Sequence, residues 1–196
     1  MPPVLVALVG SPRRGNSRVL LDAVVEGARS ASPDVEVHLV EAYGVRVGPC
    51  TACGRCDGPD AGEGCMVEGD DWPPIEALLR SADALIVASP IFFRGLPAPV
   101  KAIVDRLQAM GELRERGERV ATNAGPHRRA AVVLVASQGR AMFDGARGEL
   151  VAAMRTLGFE IAGELLAEGL EGPGEASGRP DLLGRARALG RALLTA

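Results

Sequence analysis

Apolar residues recur along this chain at two spacings, and the switches between them lay out its elements. Val4–Val9 is an uninterrupted apolar run, which predicts a strand buried on both faces. In the stretch Val19-Leu20-Leu21-Asp22-Ala23-Val24-Val25 the apolar positions fall on one face of a helix of roughly residues 17–29. Val35 to Val40 alternates with period two, as a half-covered or edge strand does, with His38 on its polar side. From Tyr43 to Asp71 periodicity disappears into Gly, Pro, Asp and Cys. Asp70 or Asp71 then caps a helix with Pro73 or Pro74 in its first turn and Ile75, Leu78 and Leu79 on its apolar face. Ala82–Ala88 reads as a second fully buried strand, followed by a helix face of Val100, Ile103, Val104 and Leu107. Residues 111–129 are charged and aperiodic, which predicts a mobile loop. Beyond them come a strand over 130–136, a helix over 149–157, a strand over 159–166 and a last amphipathic helix carrying Leu182, Leu183, Ala186, Leu189 and Leu193.

Five strands alternating with helices predict an α/β fold: a parallel sheet covered on both sides. No internal repeat or composition break divides the chain. One domain over residues 1–196 is expected, with a cysteine-rich insertion at about 43–71. Aromatics make up 3% of a chain that is 47% hydrophobic, so the core must be built from Ala, Val and Leu. The net charge of −3 argues against a nucleic-acid or anionic-membrane partner. Lys101 is the only lysine among the 22 basic residues, a compositional bias rather than an arginine-rich surface. The sequence enters its first strand without a signal-like leader and holds no apolar run of membrane-spanning length. The expected location is therefore cytoplasmic.

In an open parallel sheet, ligands sit beyond the C-terminal strand ends, where strand order reverses. For the order 2-1-3-4-5 that point lies between the first and third strands. The loop after the first is Gly10-Ser11-Pro12-Arg13-Arg14-Gly15-Asn16-Ser17, a strand-to-helix turn with two hydroxyls, an amide and two arginines. Helix N-terminal N–H groups and short polar side chains make such a turn an anion cradle. Ser17 or Asn16 is equally a candidate helix cap. The loop after the third strand holds Pro90, Ile91, Phe92, Phe93 and Gly95, which suit the face of a flat ring. The next loop offers Ser137, Gln138 and the Gly139 backbone. A phosphate end and a flat end together describe a mononucleotide. His38 and His127 have no supporting context, so no side chain is assigned as acid or base.

Cys50, Cys53, Cys56 and Cys65 lie within 16 residues, and the rest of the chain has no cysteine. In a reducing compartment this clustering points to metal or redox chemistry before structural disulfides. Cys50, Cys53 and Cys56 follow C-x2-C-x2-C, the spacing of the first three cysteines in bacterial ferredoxin motifs. Cys65 is the candidate fourth ligand of a [4Fe–4S] cluster. A zinc site, a redox disulfide pair and cysteines that bind nothing remain open alternatives.

The ordered set of Gly10–Ser17, the cysteine segment, Asp70-Asp71, Ala82-Asp83-Ala84, Ser89-Pro90-Ile91-Phe92 and Lys101-Ala102-Ile103-Val104-Asp105-Arg106 resembles the NADPH-dependent FMN reductase family. Within it the pattern is most similar to the iron–sulfur flavoproteins, over about residues 1–110. The resemblance implies a flavodoxin-like three-layer sandwich with a five-stranded parallel sheet in the order 2-1-3-4-5. It implies non-covalent FMN, with phosphate against Ser11, Arg13, Asn16 and Ser17 and ring against Pro90 to Gly95, with Ser137, Gln138 and Gly139 nearby. It also implies a homodimer or homotetramer, with Asp105 and Arg106 as candidates for subunit contacts. Relative to the family's iron–sulfur members, the gap before Cys65 is slightly long. The expected activity is transfer of electrons from NADPH, NADH or a protein donor, through FMN, to a quinone, flavin, protein or other acceptor. The alternatives are a non-catalytic electron carrier or redox sensor, and a zinc-stapled interaction module on the same scaffold.

Overall fold

The computed structural model describes residues 1–57, 64–115, 117 and 127–195. Among these residues, strands β1 (Val4–Val9), β2 (Glu36–Glu41), β3 (Ala84–Pro90), β4 (Arg129–Val135) and β5 (Glu160–Ala167) form one sheet. Its order is β2-β1-β3-β4-β5 and every pairing is parallel. The helices are α1 (Asn16–Ala31), α2 (Trp72–Ser81), α3 (Ala98–Arg106), α4 (Gln108–Glu115), α5 (Asp144–Thr156) and α6 (Pro180–Leu194). This is the flavodoxin-like arrangement expected from the sequence. None of these helices is long and apolar enough to cross a membrane.

Strand β1 shows why the sheet is sandwiched. Leu5, Ala7 and Val9 point to a core shared with α1 and α6, while Val6 and Leu8 point to one shared with α2, α3 and α5. The core is mostly Ala, Val, Leu and Ile, with Trp72, Phe143 and Phe159 as its buried aromatics. Helices α1 and α6 touch backbone to backbone. A β-carbon on Gly27 would lie 2.0 Å from the Arg187 carbonyl oxygen, and one on Gly190 1.9 Å from that of Val24.

The side chain of Arg128, 5% exposed, ties the base of the second layer together. Its guanidinium donates to the carbonyls of Leu79, Ala82 and Leu157 and lies 3.9 Å over the Phe159 ring. It therefore caps the ends of α2 and α5 with one cation. Burial pushes its pKa down to about 10.

Two element boundaries differ from the sequence reading. Helix α4 takes in residues 111–115 of the expected loop, because Ala109, Met110 and Leu113 bury one face that Glu112 and Glu115 mask in the sequence. The rest of the expected loop lies largely outside the described residues. Helix α5 starts at Asp144 rather than 149. Its first five residues include Gly145 and Gly148 and bury only Ala146, so they show no apolar stripe to read.

Candidate functional site

The loop after β1 begins where the backbone of Gly10 presses against β3. Its amide donates to the Ala88 carbonyl (2.8 Å). A β-carbon there would sit 2.5 Å from Val100 Cγ2 and 2.7 Å from Ser89 Oγ, so the position has no room for a side chain. The Ser11 hydroxyl then donates to the Arg13 carbonyl (2.8 Å) and accepts from the Arg13 amide (3.3 Å), which folds the loop back on itself. Gly15 is the N-cap of α1, and no side chain caps the helix. Neither Ser17 nor Asn16 takes the capping role. The amides of Asn16 and Ser17 have no acceptor among the described residues, and the Ser17 hydroxyl has no hydrogen-bond partner there either. Ser17 is only 2% exposed, so these donors converge in a nearly dry corner.

That corner opens into a cavity of about 180 Å³ at the C-terminal end of the sheet, between β1 and β3. Ser11, Arg13, Asn16, Ser17, Pro90, Ile91, Phe92 and Ser137 line it. Phe93, Gly95, Gln138 and Gly139 do not line it; Gln138 and Gly139 lie exposed just beyond. A further wall, Leu170 to Pro173 from the β5–α6 loop, has no counterpart in the sequence reading. Asn16 holds this wall. Its side-chain amide donates to the Gly172 carbonyl (2.9 Å), and its side-chain oxygen accepts from the Ala176 amide (2.9 Å). The Asn16 side chain is thus a strut between loops, and only its backbone N–H faces the anion corner.

Phe92 and Gly95 exchange two backbone hydrogen bonds of 3.0 Å and close a two-residue turn. Its central residues, Phe93 (φ 50°) and Arg94 (φ 65°), both sit in the left-handed region. Asn-Gly is the usual occupant of such a turn, and side chains like these pay about 1 kcal/mol or more each for the conformation. Arg94 is held by a bond from Nη2 to the Ala141 carbonyl (3.0 Å), and Gly145 packs under its own carbonyl. The turn leaves Phe92 half-exposed at the cavity mouth and throws Phe93 fully into solvent.

The profile of the NADPH-dependent FMN reductase family matches residues 3–167. The chain belongs to this family. An iron–sulfur flavoprotein of Archaeoglobus fulgidus is 32% identical over 108 residues, 54% of this chain and 46% of that protein. An iron–sulfur flavoprotein of Methanosarcina thermophila is 33% identical over 103 residues, 52% of this chain and 51% of that protein. The match thus spans about half the length of these relatives. The solved NAD(P)H:quinone oxidoreductase of Methanothermobacter marburgensis superposes with a TM-score of 0.62 at 22% identity, over 97% of this chain and 98% of that one, a likeness of fold.

The donor set of this FMN reductase family member fits the group its family name implies. Unpaired helix N-terminal amides, the Ser17 hydroxyl and Arg13 suit a phosphate; Arg13 has no ion-pair partner among the described residues. Pro90, Ile91 and Phe92 give an apolar surface at the other end.

The cysteine segment lies against α3. Among the described residues none of Cys50, Cys53, Cys56 and Cys65 forms a disulfide, and Cys53 is exposed while the other three are partly covered. The Arg55 amide and side chain lower the Cys53 pKa. Burial raises that of Cys56, helped by the nearby Cys65, Glu112 and Cys50. So Cys50 and Cys65 each lie within electrostatic reach of Cys56. Among the described residues, no three side chains of ligand type converge as a single metal ion requires. The donors suit an iron–sulfur group in type and number, and residues 58–63 between them lie outside the described set. Arg106 is not a subunit contact: its side chain is fully buried within its own chain, against Asp70 at 2.6 Å. Asp105 pairs with Lys101 at 2.5 Å along α3, as their spacing of four predicts, and its side chain stays partly exposed.

Proposed function

We propose that this chain is an FMN-dependent oxidoreductase that takes electrons from NADPH, NADH or a protein donor. It passes them to a quinone, flavin, protein or other acceptor, with a [4Fe–4S] cluster on Cys50, Cys53, Cys56 and Cys65 as a second redox centre. The observation that carries the reading is the cavity between β1 and β3, with unpaired amides at one end and Phe92 at the other. The names of the relatives, iron–sulfur flavoprotein and NAD(P)H:quinone oxidoreductase, support it.

In this reading the Asn16 and Ser17 amides, the Ser17 hydroxyl and Arg13 hold the phosphate. Asn16 fixes the Leu170–Pro173 wall that narrows the cavity around it. Pro90, Ile91 and Phe92 present the ring to its reaction partners, with Phe93, Gly95, Ser137, Gln138 and Gly139 around the rim. Bound FMN supplies the chemistry, accepting a hydride and releasing electrons singly. The chain's part is to bind, orient and shield it. Exposed Phe92 and Phe93 form the surface that a second copy covers in a homodimer or homotetramer. Sedimentation of Phe93→Ser as a monomer, beside an oligomeric parent, tests that assignment.

The main test is anaerobic purification with an absorption spectrum, followed by NADPH or NADH. Flavin bands that bleach, together with iron and sulfide in the protein, are the expected result. A colourless protein that takes up no FMN refutes the flavin reading. FMN retained without turnover by either nicotinamide favours the electron-carrier or sensor alternative. Zinc in place of iron and sulfide favours the interaction module.

A further inference from the structure

We propose that Arg106 latches both ends of the cysteine segment and holds Cys65 as a pre-oriented ligand sulfur. Its guanidinium lies at the C-terminal end of α3 and is fully buried. Nη1 donates to Asp70 Oδ2 (2.6 Å) and to the Gly48 carbonyl (3.3 Å). Nη2 donates to the Val67 carbonyl (2.9 Å), and Nε donates to Cys65 Sγ (3.1 Å). Gly48 lies two residues before Cys50, and Cys65, Val67 and Asp70 form the far end of the segment. One planar fork therefore fixes the entry and the exit of the whole cysteine-bearing stretch.

Asp70 completes the latch from the other side. The same Oδ2 accepts from the Gly48 amide (3.0 Å), and Oδ1 accepts from the Trp72 amide (3.1 Å). These bonds hold the Asp70 carboxyl below its ordinary pKa against the opposing effect of burial. Trp72 lies under the guanidinium, with its ring centroid 5.4 Å from the Arg106 carbon. Its buried indole N–H has no acceptor among the described residues.

Closing the ends of a loop removes part of the entropy that its ligands would otherwise lose on binding. Lysine could keep the charge but could not reach four acceptors in one plane. The bond to Cys65 adds a second effect, which rests on the iron–sulfur reading above. Reduction adds negative charge to a cluster, and a cationic donor on a ligand sulfur favours that state, so Arg106 raises the reduction potential. The latch itself needs no bound group.

Hydrogen exchange on the full chain before iron loading tests the latch. Arg106→Met and Arg106→Lys should speed exchange of the Gly48 and Trp72 amides on the order of a hundredfold. Cys65→Ser should leave both amides unchanged. A parent-like circular dichroism spectrum with a cooperative thermal melt reports that each variant has folded, and Arg106→Lys decides alone if Arg106→Met does not fold. Unchanged exchange in the folded Arg106 variants overturns the latch. Anaerobic loading with iron and sulfide tests the hold on Cys65. Arg106→Lys should take up less of both than the parent, and what it binds should have a more negative potential. Equal uptake and equal potential overturn that role. A parent chain that takes up no iron or sulfide refutes the iron–sulfur reading and the tuning with it, while the exchange rates still decide the latch.

Discussion

Asn16 and Ser17 are neighbours at the start of α1, yet the structure gives their side chains different work, and two alanine variants separate them. Asn16→Ala removes two hydrogen bonds of 2.9 Å. It strands the Ala176 amide in a fully buried position, whereas the Gly172 carbonyl sits at the cavity edge and recovers water. Two ordinary hydrogen bonds are worth about 1 kcal/mol each, and an orphaned buried amide adds to that. The expected loss is about 2–3 kcal/mol, or roughly 5–10 °C of Tm for a chain of this size. It must be measured on FMN-free protein, because bound ligand raises Tm by mass action. Ser17→Ala removes a hydroxyl with no partner among the described residues, so its apo stability should stay within about 0.5 kcal/mol. A hydroxyl on a phosphate is worth about 1.5–3 kcal/mol, so FMN affinity should fall about 10- to 150-fold, read by quenching of flavin fluorescence. An Asn16→Ala protein with an unchanged apo Tm and an FMN loss equal to that of Ser17→Ala would refute the strut. An unchanged FMN affinity in Ser17→Ala would mean that the phosphate lies elsewhere.

Gly10→Ala should displace Ser89 and Val100, because the new methyl would lie 2.5–2.7 Å from their side-chain atoms. Overpacking of this kind costs about 1–3 kcal/mol, visible in chemical denaturation, and should weaken FMN binding because both strand ends move. Arg128→Met leaves three carbonyls without their shared donor and should lower stability by about 3 kcal/mol, or roughly 6–12 °C in a thermal melt. The Asp70 carboxyl is held below its ordinary pKa, so its stabilising contribution is complete above the unfolded-state value and disappears as pH falls through the lower folded value. Stability of the parent should therefore drop below about pH 4 more steeply than that of Asp70→Asn, in denaturation midpoints taken across acidic pH.

The five strands and the polar turn at 10–17 were legible in the sequence because each is written by neighbouring residues, whereas the strand order came with the family resemblance. A buried strand needs only a short apolar run, and a strand-to-helix turn needs only its own glycines and hydroxyls. Those signals also placed Pro90, Ile91 and Phe92 at the cavity, since strand order dictates which loops meet. The side-chain roles were decided elsewhere. Asn16 finds its partners 156 and 160 residues away, and Arg106 finds its own 36 to 58 residues away. Most of those partners are backbone carbonyls and amides, which every residue carries, so nothing in the composition marks them. Helix α4 was hidden for a related reason, since its buried face is short and charged residues surround it. The chain's pattern thus determined the scaffold and the location of the site. Only the packing of distant segments decided that Leu170 to Pro173 forms its fourth wall, and that a buried arginine holds the cysteine segment by both ends.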